Sequence, residues 1–324
     1  MPDILVSEAI TGAALDALGR EFDVAFEPDL WQNVDTLTSR IAQVRGVIVR
    51  NQTPLCAAVL SAAPRLQIIA RAGVGLDNID VDFATAAGIV IAWTPTQHSI
   101  TVAELTLGMM LDLSRNIASA DRDTKAGGWR RHHFTGVELS GKTVGIVGLG
   151  RIGVLVAKRA KAFGMELIAH DPPLDAQSPA VQETGALLCD LDTLMARADY
   201  ICLHLPANDQ TRGIIDRALL AKCKPSAMLI NLARGEVIDE PALIEALAQG
   251  RLRGAALDVR AVEPPARDAL CDMDNVILTP HIGAFTREAQ TRVVQSVCDD
   301  VTAVLRGGEA ECFVNFSTPR RSPP

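Results

Sequence analysis

The chain has 324 residues, 48% of them hydrophobic and 22% charged, and carries a formal net charge of −8 at pH 7. That length has room for two domains with full cores, the acidic balance gives no basic footprint for nucleic acid, and no uninterrupted apolar run of about 18 residues suggests a membrane span. Seven scattered cysteines without a Cys-x-x-Cys pair, and no visible secretory signal, point to reduced thiols in a cytoplasm and away from a disulfide framework or a zinc site.

In chain order, Ile4-Leu5-Val6, Val24 to Phe26, Val47-Ile48-Val49, Leu66 to Ala70 and Ile89-Val90-Ile91 are short apolar runs. Helical patterns such as Ile10 to Leu18 and Val34 to Val44 lie between them. Strands alternating with helices of that length mean βαβ units and a parallel sheet. No glycine-rich loop follows the first strand, so this half reads as a separate flavodoxin-like unit. Thr101 to Arg115 reads as a long, mostly buried helix, suited to connecting two domains, and Lys125 to Gly136 as a loop that includes the solvated cluster Arg130-Arg131-His132-His133. A second sheet runs from Lys142 to about His281. Thr286 to Leu305 is again helical and too short to stand alone, so it is expected to pack on the first unit. The expected organisation is one unit of residues 1–100 plus 285–324, split around an inserted unit of residues 101–284. Thr318 to Pro324 is expected to be disordered.

In the second half, six apolar runs end at or just before a residue suited to binding or catalysis. Lys142 to Val147 leads into Gly148-Leu149-Gly150-Arg151-Ile152-Gly153, Glu166 to His170 ends at Asp171, and Tyr200 to Leu203 at His204. Ala227 to Leu232 precedes Arg234, Gly254 to Leu257 ends at Asp258, and Asn275 to Pro280 at His281. In open parallel α/β sheets, ligands bind outside the carboxyl ends of the strands.

A lone Gly-x-Gly-x-x-Gly is weak, but here it joins a strand to a helix and Asp171 closes the next strand. The glycines allow a tight turn, approach of backbone to a pyrophosphate, and close helix–strand packing, and the helix N-terminus favours the anion. Asp171 would accept hydrogen bonds from the ribose hydroxyls and repel a 2′-phosphate, favouring NAD over NADP. The plainer reading is a structural turn beside an unrelated aspartate. Arg234 offers a planar fork matching a carboxylate; a salt bridge to Glu236 or Asp239 is the alternative. His281 is suited to moving a proton near neutral pH, and Glu263, hydrogen-bonded to it, would fix the ring and favour its charged form. A satisfied core histidine and an exposed loop glutamate are the bland alternatives. His98, His132, His133 and His204 have no such companions and stay structural or unassigned.

Together, Gly148 to Gly153, Asp171, Asn231-Leu232-Ala233-Arg234-Gly235, Asp258 to Pro264 and Pro280-His281-Ile282-Gly283 resemble the signature set of the D-isomer-specific 2-hydroxyacid dehydrogenases. Arg71 to Asp80 is similar to that family's substrate loop. The resemblance runs from about residue 40 to 315. It implies two parallel-sheet domains, a flavodoxin-like substrate-binding domain of residues 1–100 plus 285–324 split around an inserted NAD-binding Rossmann domain of residues 101–284, with NAD as cofactor and no metal. It also implies Arg234, Glu263 and His281 as the catalytic set, with the site assembled from two domains that close over the cofactor. His281 would give a proton to the substrate carbonyl as hydride arrives. Glu263 would hold His281, and Arg234 would bind the substrate carboxylate, helped by backbone N–H groups of Val74 and Gly75. Gly148, Gly150, Arg151, Ile152, Gly153, Asp171, Pro206, Thr211, Ala233, Asp258 and Gly283 would contact the cofactor, Asp258 through the nicotinamide carboxamide.

Within the family the chain most resembles the phosphoglycerate dehydrogenase-like branch. Arg50 and Arg71 fall where that branch places arginines near the far end of the substrate, suggesting a small D-2-hydroxy acid with a second anionic group. Ordinary ion pairing is the competing explanation for both. The branch's Asn-x-Pro segment is replaced by Trp93-Thr94-Pro95, which puts 3-phosphoglycerate itself in doubt. A homodimer is the family expectation, with Thr101–Arg115 and the loop after it as the contact. The rival from another class is a non-enzymatic NAD sensor like the C-terminal binding protein corepressors, which retain the same Arg/Glu/His set. Formate dehydrogenases would carry Gln where Glu263 stands.

Overall fold

The computed structural model describes residues 1–320 and divides into two compact units, residues 1–98 with the described residues from 286 onward, and residues 99–285. In the first unit, β1 (Ile4–Val6), β2 (Val24–Phe26), β3 (Gly46–Val49), β4 (Ile68–Arg71) and β5 (Val90–Ala92) form a parallel sheet in the order β2-β1-β3-β4-β5. Successive side chains on a strand point to opposite faces, so a sheet covered on both sides needs continuous apolar strands. Ile4, Val6, Ile48, Ile68 and Ala70 accordingly join one core, closed by Val293, Val294, Val297 and Val301 of the helix Arg287–Leu305. Leu5, Val47, Val49 and Ile69 join another, closed by the helices Val34–Ile41, Ala57–Ser61 and Val81–Ala86. Arg287–Leu305 therefore does pack on this unit, its first turn capped by Thr286 accepting the Ala289 N–H.

Residues 321–324 of the segment expected to be disordered lie outside the described residues. Arg320 is ordered, which corrects that expectation for the described part: its N–H donates to the Gly88 carbonyl at 3.0 Å, and its guanidinium lies 4.5 Å from the Phe316 ring centre.

In the second unit, β6 (Thr143–Val147), β7 (Glu166–His170), β8 (Leu187–Leu188), β9 (Tyr200–Leu203), β10 (Met228–Asn231), β11 (Gly254–Leu257) and β12 (Val276–Leu278) are all parallel, ordered β12-β11-β10-β9-β6-β7-β8. Counted from β6, this is the doubly wound nucleotide-binding order with one further strand, and β6 lies at the point where the order reverses. The helices Ser99–Arg115 and Arg151–Ala162 cover one face through Val102, Met109, Met110, Val156 and Ala160; Leu194, Leu220, Leu243 and Leu247 cover the other. The stretch expected to loop from Lys125 instead follows a helix, Ile117–Lys125, and contains a short 3-10 turn at Arg131–Phe134. Among the described residues no helix is long and apolar enough to cross a membrane.

Candidate active site

The three loop glycines differ in what a side chain would meet. Gly148 has φ +93°, a left-handed backbone open to glycine, and a Cβ there would lie 2.5 Å from the His204 carbonyl oxygen. At Gly153 a Cβ would lie 2.2 Å from the Gly148 oxygen, so the helix Arg151–Ala162 approaches the loop only because none exists. At Gly150, which precedes that helix, a Cβ would enter open space. Two glycines thus build the turn and the third leaves a cradle clear in front of the helix N-terminus, a fit for a pyrophosphate. Arg151 and Ile152 begin the helix; Asp171, at the end of β7, accepts the Leu149 N–H at 2.8 Å through Oδ2.

His281 has φ +53°, an uncommon conformation for a side-chain-bearing residue. Asp258 holds it from both sides. The His281 N–H donates to the Asp258 carbonyl at 2.8 Å, while the Asp258 carboxylate accepts the Thr279 hydroxyl at 2.6 Å and the Ile282 and Gly283 N–H groups at 2.8 Å each. Asp258 is only 1% exposed, and Gly283 approaches it so closely that a Cβ would lie 3.0 Å from its Oδ2. Its evident work is to fasten the loop that presents His281.

Nδ1 of His281 lies 2.7 Å from Glu263 Oε2, and the other carboxylate oxygen accepts the Arg260 N–H at 3.1 Å. Burial alone would raise the Glu263 pKa; the hydrogen bonds from His281 and the Arg260 N–H, with the nearby charge of Arg234, overcome that and hold it below the usual carboxylate range. With Nδ1 engaged by Glu263, Nε2 is the ring atom left to exchange a proton with a substrate.

Arg234 leaves β10 through a loop organised by Asn231. That fully buried side chain accepts the Ala233 N–H at 3.0 Å and donates to the Arg234 carbonyl at 2.8 Å. The next residue, Gly235, abuts the Glu263 loop, since a Cβ there would lie 1.9 Å from the carbonyl carbon of Arg260. The missing side chain lets the loop bearing Arg234 and the loop bearing Glu263 close on each other. In the sequence Asn231 stands out only as part of a motif; the signal of its own is a polar residue closing an otherwise apolar buried strand.

The other expected residues are placed less decisively. Pro206 and Thr211 close the loop after β9, with the Thr211 hydroxyl donating to the Pro206 carbonyl at 2.6 Å. His204 is half-buried, but its two ring nitrogens are shut off from solvent without a hydrogen-bond partner among the described residues, and burial lowers its pKa to about 4. Its backbone carbonyl lies close against Gly148, a structural contact. In the first unit, Arg71 turns back on its own loop, Nε donating to Gly75 O at 2.8 Å and NH1 to Ala72 O at 2.9 Å, and is 8% exposed. Arg50 reaches Gln290, and burial lowers its pKa against the opposing effect of Glu8. Val74 and Gly75 lie in the loop braced by Arg71. Both arginines are therefore engaged with protein groups. Among the described residues, no cluster of His, Cys, Asp or Glu is arranged to hold a metal ion.

Comparison with known proteins gives these arrangements a lineage. Residues 107–283 match the model of the D-isomer specific 2-hydroxyacid dehydrogenase NAD binding domain. A D-3-phosphoglycerate dehydrogenase of Methanocaldococcus jannaschii is 45% identical, the match covering 98% of this chain and 60% of that protein; the chain spans 57% of a Mycobacterium bovis relative of the same name. Curated relatives such as these are thus considerably longer than this chain. The crystal structure of the TT0316 protein of Thermus thermophilus superposes with a TM-score of 0.90 at 34% identity, covering 96% of this chain and 99% of that one. An NADPH-dependent glyoxylate/hydroxypyruvate reductase of Sinorhizobium meliloti, solved with citrate, gives a TM-score of 0.86 at 31% identity, covering 97% and 98%. Residues 107–283 are an NAD-binding domain, and the chain belongs to the D-isomer specific 2-hydroxyacid dehydrogenase family.

Proposed function

We propose that this protein is an NAD-dependent oxidoreductase that interconverts a small D-2-hydroxy acid and its 2-keto acid. The observation that carries this reading is the pairing of His281 Nδ1 with Glu263 Oε2 at 2.7 Å, on loops that Gly235 brings against Arg234. NAD, when bound, supplies or receives the hydride. The chain's own residues do the rest. Nε2 of His281 passes a proton to the carbonyl oxygen, or takes one from the hydroxyl in the oxidative direction, while Glu263 balances the charge on the ring. Arg234 binds the substrate carboxylate with its planar fork and draws electron density from the neighbouring carbonyl. Asp171, a carboxylate beside the glycine loop, favours NAD over its 2′-phosphorylated form.

Relatives named phosphoglycerate dehydrogenase and glyoxylate/hydroxypyruvate reductase support a small 2-keto acid as substrate. Arg50 and Arg71 are our candidates for recognising a second anionic group, with Val74 and Gly75 supplying N–H groups to the carboxylate. We assign the protein to the cytoplasm, where the seven free cysteines would stay reduced, and propose a homodimer, which light scattering on the purified protein would test.

NADH oxidation measured over a panel of 2-keto acids tests the activity; turnover of none of them would sink it. Replacing His281 by Gln should lower kcat by about 10²- to 10⁴-fold, with NADH affinity little changed.

A further inference from the structure

The loop that carries Glu263 has little apolar anchorage. Residues 261–267 are all exposed, and Val262, the largest apolar side chain among them, is 71% exposed. Immediately before them stands Arg260, a charged side chain only 8% exposed. Its Nε and NH2 donate to Oε1 and Oε2 of Glu240 at 3.1 and 3.0 Å, and NH2 also pairs with Asp268 Oδ2. Glu240 opens the helix Glu240–Ala248 and also accepts the Ala261 N–H at 2.8 Å; Asp268 caps the 3-10 turn Ala269–Asp272 by accepting the Leu270 N–H. Two carboxylates on separate elements thus clamp one guanidinium, and hydrogen bonding to Glu240 raises its pKa above the ordinary arginine value. The backbone N–H of this clamped residue is the group that holds Glu263 Oε1.

We propose that Arg260 is a positioning residue for proton transfer: its ionic bracing to Glu240 and Asp268 fixes the otherwise exposed loop so that Glu263 meets His281. A bidentate pair plus a second carboxylate defines the guanidinium plane, and through one residue of backbone it defines where the Glu263 carboxylate sits. The proposal rests on the catalytic assignment of His281 and Glu263 above. The charge of Arg234 also lies near Glu263.

The test compares the parent protein with Arg260→Met/Asp268→Asn and Arg260→Lys. The double variant leaves the net charge of the Arg260, Glu240 and Asp268 cluster unchanged, so distant electrostatics cannot mimic lost geometry, and Glu240 still accepts the Ala261 N–H. Loosening the loop should lower kcat by about 10- to 100-fold, with the KM of the keto acid and the Kd of NADH, read by fluorescence, within about threefold of the parent. The low-field Nδ1–H proton resonance of His281, read by NMR and assigned with a His281→Gln variant, should move upfield or be lost to solvent exchange, because Glu263 no longer accepts that proton. Arg260→Lys, which keeps the charge but not the fork, should lose about three- to fivefold in kcat. An unchanged kcat and an unchanged His281 Nδ1–H resonance in the double variant would overturn the proposal. So would an Arg260→Lys protein indistinguishable from the parent, the deciding outcome if the double variant fails to fold. The NMR resonance needs no turnover, so an inactive parent protein would sink the proposed activity while leaving the positioning role measurable.

Discussion

The two sheets are built alike, all parallel and covered on both faces, yet they treat their switch points oppositely. In the first unit the order reverses at β1 and β3, and the space beyond these strands is filled from within: Glu8, 2% exposed, takes the Arg50 N–H at 2.7 Å, the Thr53 N–H at 3.0 Å and the Thr53 hydroxyl at 2.8 Å. In the second unit the same position beyond β6 holds Gly148 to Gly153, with no side chain projecting from Gly150 into the space before the helix. One sheet satisfies its loop N–H groups with its own carboxylate; the other leaves room for an anion from outside. Architecture makes the crevice, and the residue placed in it decides whether the loop N–H groups are met from within or left open.

Removing the internal anion should have the largest effect. Glu8→Ala leaves several buried donors without their acceptor and Arg50 without its charge partner, so stability should drop by about 3–5 kcal/mol. Denaturant unfolding would measure this; a change of only a few tenths would mean that the crevice is not held by Glu8. Filling the external anion's space comes next. Gly150→Ala should weaken NADH binding by about tenfold, equivalent to about 1.4 kcal/mol, with thermal stability nearly unaltered because the added Cβ meets no described protein atom within 4 Å. Equal affinity would place the cofactor elsewhere. The smallest effect concerns Glu263. Its folded pKa lies below its ordinary value of 4.5, so it contributes stability above that pH and loses the contribution as pH falls through the folded value. A Glu263→Gln variant should therefore show a slightly shallower loss of stability on acidification below about pH 4.5; a steeper loss would reverse the assigned sign.

Much of this contrast was legible in the residues. β6, β7, β9 and β11 announce themselves because apolar runs bounded by turn residues match buried parallel strands, and the glycine spacing declares the open crevice. The internal carboxylate did not announce itself: Glu8 looks like any polar residue after a strand until β3 brings Arg50, Gln52 and Thr53 against it. β8 escaped because Leu187–Leu188 is too short for any periodicity. The helix Ile117–Lys125 escaped because none of its residues is buried, leaving no apolar stripe to read. At the candidate site the roles of His281, Glu263 and Arg234 follow from residue type and strand-end position. The fastening by Asp258 and Asn231, and the clearance at Gly235, depend on how closely separate loops approach, which spacing along one chain does not encode.

The left-handed backbone of His281 sets a limit on how far this protein can be stabilised at that position. A non-glycine residue held there carries strain of about 1–3 kcal/mol, maintained by the hydrogen bonds of Asp258 on either side. Selection for stability alone would favour glycine or asparagine at position 281, and either would delete the proposed proton donor. Rigidity and reactivity are set against each other in one residue, so a stability-guided redesign of this protein has to leave position 281 untouched.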